Sequence, residues 1–152
     1  MVILIDFDGT CVTHEFPLIG KEIGAVSVLK ELVENGHKLI LFTMRSDVVN
    51  PTGEDNELHL VSGNYLSDAL FWFTKHRIPL YGIQTNPTQH TWTTSPKAYG
   101  NHMIDDSALG CPLTYILNGE TQDKPFVDWD AMRILLIEKH LINPNKYFVN
   151  QF

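Results

Sequence analysis

Two aspartates separated by one residue stand at the end of the first apolar stretch of the chain. The run ILIDFDGT, residues 3–10, places Asp6 and Asp8 directly after three aliphatic residues. A second acidic pair, Asp105 and Asp106, follows the short run HMI. Carboxylates gathered in one crevice repel one another, and a cation is needed to keep them ionised at neutral pH. Because carboxylate oxygens are hard ligands, these residues predict a Mg²⁺ site.

The elements that must position these acids alternate along the chain. Five short apolar runs are predicted as strands: 1–5, 37–42, 79–83, 102–104 and 113–117. Apolar residues at helical spacing predict three helices: 21–35, 65–76 and 128–140. Asp128 is the expected N-cap of the last helix. This alternation predicts a doubly wound, three-layer α/β/α domain around a Rossmann-like parallel sheet.

In such a sheet, ligands bind beyond the carboxyl ends of the strands. Asp6 and Asp8 close the first strand, and Thr43 closes the second. Asp105 and Asp106 close the fourth strand. Four carboxylates and one hydroxyl are therefore expected at the same edge of the sheet, although about 100 residues of sequence separate them.

The order of these residues resembles the four motifs of the haloacid dehalogenase superfamily, in its phosphatase branch. The motifs are DFDGT at 6–10, LILFT ending in Thr43, the isolated Lys97, and HMIDD ending in Asp106. The resemblance extends from residue 3 to about residue 110. It implies the core fold of that superfamily and an enzyme that hydrolyses phosphomonoesters.

The resemblance also implies a role for each motif residue. Asp6 would be the nucleophile that forms an aspartyl-phosphate, and Asp8 would be the general acid and base. Thr43 would donate its hydroxyl to a phosphoryl oxygen, and Lys97 would neutralise charge shared by the phosphoryl group and Asp6. The implied Mg²⁺ ligands are Asp6, Asp8, with its backbone carbonyl facing the metal, Asp105 and Asp106.

Four residues beside the motifs are candidates for substrate binding. Gly9 permits the close turn after the first motif. Met44 and Arg45 directly follow the second motif; Arg45 could hold a second anionic group or a base, or could form a surface salt bridge. His14 lies where the superfamily often inserts substrate-selecting segments, and its alternative is an ordinary surface or core histidine.

The chain leaves no room for a full cap domain. Residues 46–62 are polar and are predicted as a small insert, a lid at most. Specificity must then come from loops, a second subunit of a homo-oligomer, or a large substrate. We expect a small phosphorylated substrate, with a nucleoside monophosphate as the first candidate. The alternatives are a macromolecular substrate, such as a nucleic-acid end or a phosphoprotein, and a non-catalytic phosphate- or metal-binding module.

Composition limits the remaining function classes. The chain has 152 residues, of which 43% are hydrophobic, and this predicts a single domain over 1–152. A formal net charge of -7 argues against binding to long nucleic acids or to anionic membranes. No apolar run reaches the roughly 18 residues needed to cross a bilayer. Since Met1 also leads directly into strand-like sequence and not into a signal-type segment, we expect a cytoplasmic protein. The two cysteines, Cys11 and Cys111, are expected to be free thiols.

Overall fold

The centre of the fold is a four-stranded parallel sheet. The computed structural model describes residues 1–48 and 62–147. In sheet order, the strands are β5 (Gly82–Ile83), β2 (Lys38–Leu41), β1 (Val2–Ile5) and β6 (His102–Ile104). The chain moves from β1 outward to β2 and β5, and then returns to the other side of β1 for β6. The structure therefore confirms an α/β fold with a central parallel sheet.

Three α-helices share one hydrophobic core with one face of this sheet. They are α1 (Ala25–Glu34), α2 (Tyr65–Lys75) and α3 (Trp129–Glu138). The sheet contributes Ile3 and Ile5 from β1 to this core, together with Leu39 and Leu41 from β2. None of the described helices has the length and apolarity that crossing a membrane would require.

The opposite face of the sheet is covered by an irregular segment. Leu4 and Ile40 alternate with the core residues along their strands, and they pack with Ala98. Within residues 84–101, regular structure is limited to a 3₁₀ turn at Gln89–Thr91. Among the described residues no α-helix packs on this face, so the predicted three-layer α/β/α arrangement is not confirmed there. The segment carries two prolines and many threonines, which disfavour a helix.

The predicted fifth strand belongs to a separate hairpin. β7 (Leu113–Leu117) pairs antiparallel with β8 (Glu120–Val127), a strand that was not predicted. Asn118 and Gly119 connect them, and both have positive φ angles, 52° and 83°. Asn-Gly is the strongest short-range signal for a tight hairpin turn. That signal, read beside the apolar run, could have identified the hairpin.

The helix predictions hold with one shift. α2 and α3 lie within their predicted ranges, and the Asp128 side chain accepts hydrogen bonds from the backbone N–H groups of Asp130 and Ala131. α1 begins at Ala25 and not at residue 21. The residues before Ala25 are not helical, because Glu22 forms a β-bridge and Gly24 adopts a left-handed φ of 94°.

The ends of the predicted insert form a short two-stranded pair. β3 (Asp47–Val48) lies antiparallel to β4 (Gly63–Asn64). Asp47 also accepts hydrogen bonds from the backbone N–H and the hydroxyl of Ser67 in α2, at 2.9 and 2.5 Å. Residues 49–61 of the predicted insert lie outside the described residues.

Phe7, which lies between Asp6 and Asp8, packs in the hydrophobic core, and its substitution tests how much this packing stabilises the fold. Its side chain is fully buried, and its ring centroid lies 5.6 Å from that of Trp72 and 6.1 Å from that of Phe73. We expect Phe7→Ala to lower the free energy of unfolding by about 3–5 kcal/mol, measured by urea denaturation. The control Phe71→Ala removes a ring that is 67% exposed and should change it by less than about 0.5 kcal/mol. Equal effects of the two substitutions would contradict this packing.

Candidate active site

Three carboxylates meet where β1 and β6 end. Asp6 follows β1, and its backbone N–H donates to the carbonyl of Ile104 at 3.0 Å. Asp105 and Asp106 follow β6. One oxygen from each of these three acids, which we call the acidic triad, lies within 4.8 Å of the other two. Partly buried carboxylate oxygens at this spacing suit a divalent cation such as Mg²⁺.

Thr10 connects the two strand ends that carry the triad. This residue is fully buried, and its hydroxyl donates to Asp6 Oδ2 at 3.2 Å. The same hydroxyl accepts a hydrogen bond from the backbone N–H of Asp106 at 3.1 Å. The spacing of the triad is thus held by a side chain within the DFDGT motif as well as by the sheet.

The environment of Asp6 disfavours its charged form. The pKa of Asp6 is raised from its ordinary value of 3.8 to about 7, chiefly because the carboxyl is buried. The charges of Asp105 and Asp106 raise it further, whereas hydrogen bonds from the backbone of Phe7 and from Thr10 lower it. A cation bound by the triad would offset both the burial and the repulsion.

Asp8 lies in a different environment from the triad. Its Oδ2 accepts a hydrogen bond from Arg45 Nε, and its Oδ1 accepts one from Arg45 Nη2, both at 2.7 Å. Among the residues that the structure describes, the acids at metal-binding spacing are those of the triad and do not include the Asp8 carboxylate. The structure therefore brings three of the four predicted acids together and pairs the fourth with a guanidinium.

Arg45 is buried, with only 2% of its surface exposed. Its remaining donors bind three backbone carbonyls, those of Pro17, Leu18 and Tyr65. The guanidinium carbon lies 5.1 Å from the ring centroids of both Phe7 and Phe16. Arg45 thus forms an ion pair, as one sequence-based alternative expected, but the pair lies inside the protein and not on its surface.

Gln84 positions Thr43, and sequence reasoning missed it. Its Oε1 accepts from the backbone N–H of Thr43 at 3.0 Å, and its Nε2 donates to the carbonyl of Thr43 at 2.6 Å. The Thr43 hydroxyl accepts from the backbone N–H of Arg45 at 3.2 Å. Met44, between them, is 97% exposed. An amide side chain directly after β5 was the signal that could have identified Gln84.

His14 contacts the triad. Its Nε2 lies 2.8 Å from Asp106 Oδ2. A Cβ on Gly9 would stand 2.1 Å from the same nitrogen and 2.7 Å from Asp106 Oδ2, and Gly9 has a φ of 79°. Any larger residue at position 9 would therefore collide with this contact as well as strain the backbone. The structure places both predicted residues at the acidic triad.

Among the described residues, the predicted catalytic Lys97 forms no ion pair with the acidic triad. Its side chain is exposed, and its backbone carbonyl accepts a hydrogen bond from the buried Gln89 at 2.7 Å. Within residues 1–48 and 62–147, no carboxylate lies at ion-pair distance from its ammonium group. The backbone of Lys97 is fixed, whereas the long side chain is not held by an acid.

No protein-family model matches this chain, and no functionally curated protein matches it. A solved structure of a conserved protein from Bacteroides thetaiotaomicron is similar, with a TM-score of 0.65 and 28% sequence identity. The alignment covers 91% of each chain. This similarity supports the α/β architecture, and the description of that protein names no activity.

The Arg45–Asp8 pair is testable by a double-mutant cycle. Arg45→Met should lower the free energy of unfolding by about 3–5 kcal/mol, because it leaves a partly buried carboxylate without its partner. In the Asp8→Asn background, Arg45→Met should lower the free energy of unfolding by at least about 1 kcal/mol less than it does in the wild-type protein. Urea denaturation of the four proteins measures this coupling. Additive effects would show that the two side chains do not stabilise one another.

The raised pKa of Asp6 predicts how stability depends on pH when no divalent cation is present. The unfolded chain loses the Asp6 proton near pH 4, whereas the folded protein keeps it until about pH 7. The folded state therefore binds more protons over this interval, and stability should fall as pH rises through it, by on the order of a few kcal/mol.

Denaturation in EDTA at several pH values measures this effect. Asp6→Asn should remove most of the decrease, and Asp130→Asn, at an exposed position in the first turn of α3, should retain it. An unchanged slope in Asp6→Asn would assign the proton uptake to another group.

Proposed function

We propose that the protein is a Mg²⁺-dependent phosphomonoester hydrolase that acts through an aspartyl-phosphate on Asp6. The observation that carries this proposal is the acidic triad, whose oxygens lie within 4.8 Å of one another at the carboxyl edge of the sheet. This is the placement that the resemblance to haloacid dehalogenase-type phosphatases implies for the first and last motifs.

The residues of the triad fit a magnesium ion. Asp6, Asp105 and Asp106 would hold it through hard carboxylate oxygens and leave positions for water and a phosphoryl oxygen. When bound, the ion would supply charge neutralisation for the carboxylates and for the phosphoryl group.

The first chemical step uses Asp6 as the nucleophile. A carboxylate oxygen of Asp6 attacks phosphorus in line, the oxygen–phosphorus bond forms, and the bond to the leaving oxygen breaks. Thr10 orients the carboxylate through its 3.2 Å hydrogen bond to Oδ2. Water then attacks the aspartyl-phosphate, which releases phosphate and regenerates the carboxylate.

Asp8 exchanges the protons in this mechanism. It gives one to the leaving oxygen and later takes one from the attacking water. To act first as an acid, Asp8 must take up a proton from solvent; both of its oxygens accept hydrogen bonds from Arg45, so one of these bonds must open for that proton to bind. Arg45 therefore acts through Asp8 as a positioning residue.

Thr43 and Lys97 complete the phosphate site in this proposal. The Thr43 hydroxyl would donate to a phosphoryl oxygen from a loop that Gln84 holds in place. The exposed Lys97 side chain would turn toward the phosphoryl group when substrate is bound. The substrate is a small phosphorylated compound, since the net charge of -7 disfavours long nucleic acids.

A non-catalytic metal-binding module is the second candidate. Two observations favour it: Asp8 is bound by Arg45 at both oxygens, and the Lys97 ammonium has no acidic partner among the described residues. A binding module needs the triad alone and does not need proton transfer through Asp8.

Phosphate release separates the two candidates. The panel contains p-nitrophenyl phosphate, nucleotides, sugar phosphates, a phosphopeptide and phosphorylated oligonucleotides, each with Mg²⁺ or with EDTA. We expect Mg²⁺-dependent release that falls at least about a thousandfold in Asp6→Asn, because the nucleophile is lost. Asp130→Asn is the matched control and should retain activity.

Two other outcomes would count against the enzyme. Turnover that survives in Asp6→Asn would contradict the nucleophile assignment. Mg²⁺ binding without release from any compound of the panel would favour the binding module.

A further inference from the structure

A polar cavity of about 250 Å³ lies beside His14, the residue that contacts Asp106 of the acidic triad. Residues 13–15 and Lys21 line one side, and residues 122–124 of β8 line the other. His14 connects the cavity to the triad, because it lines the cavity while its Nε2 lies 2.8 Å from Asp106 Oδ2. The volume is slightly below the roughly 300–1,000 Å³ of pockets for drug-sized ligands, and it suits a small metabolite.

The wall formed by residues 13–21 is held by its own hydrogen bonds. Thr13 donates from its backbone N–H to the carbonyl of Lys21 at 3.1 Å, and its hydroxyl accepts from the backbone N–H of Lys21 at 2.8 Å. The Thr13 hydroxyl also donates to Glu15 Oε1 at 3.1 Å. A Cβ on Gly20 would stand only 2.0 Å from the carbonyl of Thr13, so the two segments are in close contact.

The two walls are also joined to each other. The ammonium of Lys21 donates to Gln122 Oε1 at 3.2 Å, and this bond links the wall of residues 13–21 to β8. The hairpin, of which only the first strand was predicted and as part of the main sheet, therefore forms one side of this cavity. The cavity is built from elements whose positions are fixed independently of a ligand.

The lining side chains define the class of ligand. All of them are polar, with Lys21 and Lys124 as cationic donors and Glu15 and Asp123 as anionic acceptors. Hydroxyl groups both donate and accept hydrogen bonds, so a compound with several hydroxyls can use both kinds of partner. A nucleobase is usually bound against an aromatic or apolar surface; here the lining has no Phe, Tyr, Trp or aliphatic residue, and its one ring, the imidazole of His14, is held by Asp106.

We propose that this cavity binds a polyhydroxylated leaving group, so that the preferred substrates are phosphates of sugars or polyols and not of nucleosides. The inference rests on the proposed function, because it requires the phosphoryl group to lie at the triad while the hydroxyls occupy the cavity. It replaces the nucleoside monophosphate that the sequence alone favoured as first candidate.

The test compares leaving groups in the full-length protein with Mg²⁺. The substrates are a hexose phosphate, a pentitol phosphate, a nucleoside monophosphate, butyl phosphate and p-nitrophenyl phosphate. We expect kcat/KM to be at least about tenfold higher for the two polyhydroxylated compounds than for butyl phosphate, as hydrogen bonds to charged side chains would give. The nucleoside monophosphate should not exceed them.

Substitutions of residues that line the cavity test whether the cavity causes this preference. In Gln122→Leu and Lys124→Met, the ratio of kcat/KM for the hexose phosphate to that for p-nitrophenyl phosphate should fall about tenfold. The ratio is internal to each variant, so a partly unfolded preparation does not alter it. Lys139→Met, an exposed position at the end of α3, should leave the ratio unchanged.

The results distinguish a failure of this inference from a failure of the proposed function. Hydrolysis of p-nitrophenyl phosphate without preference for the polyhydroxylated compounds, or with ratios unchanged in both cavity variants, overturns this inference and leaves the proposed function standing. Absence of hydrolysis of every compound contradicts the proposed function, and this inference falls with it.

Discussion

Arg45 carries a permanent positive charge into the interior of the protein. The DFDGT turn, residues 17–18 and the start of α2 are arranged around it. A guanidinium has five N–H donors, and each donor that is buried without a partner is costly. Here five hydrogen bonds go to Asp8 and to three backbone carbonyls. These partners come from three separate parts of the chain: the turn after β1, residues 17–18, and the start of α2. Satisfying one side chain therefore fixes the path of the chain on both sides of β2.

The same arrangement separates the acids by environment. Asp8 has a cationic partner within the protein, whereas Asp6 has two acidic neighbours and is buried, which raises its pKa to about 7. Asp6 and Asp8 are only two residues apart, yet one is paired with a guanidinium and the other lies beside two carboxylates. Because β1 ends at Ile5, Asp6 and Asp8 lie in the turn after it and need not face the same way, as alternate residues of a strand do. Gly9 in this turn leaves room for His14 beside Asp106.

Much of this geometry could be predicted from local sequence. Strand ends are easy to locate, so the meeting of Asp6, Asp105 and Asp106 followed from two apolar runs and the rules of parallel sheets. The Arg45–Asp8 pair and the Gln84–Thr43 bonds could not be predicted in this way. Their partners are separated by 37 and 41 residues, and pairing depends on loop paths that no periodicity encodes. Residues 113–117 were assigned to the wrong sheet because an apolar run has the same pattern in a hairpin as in a parallel sheet.

The misread hairpin bears on how a chain without a full cap domain could select a substrate. The main sheet ends at β6, so the chain that follows is not needed to extend it. β8 instead runs beside the first-motif region, where the backbone N–H of Val127 donates to the carbonyl of Gly9 at 2.8 Å and Gln122 bonds to Lys21. One edge of the hairpin is thus attached to the loop that carries Asp8, and residues 122–124 reach the cavity beside His14. In the proposed enzyme, this strand would make the contacts with the leaving group that a cap domain would otherwise make, from a position fixed by the backbone hydrogen bond from Val127 to Gly9.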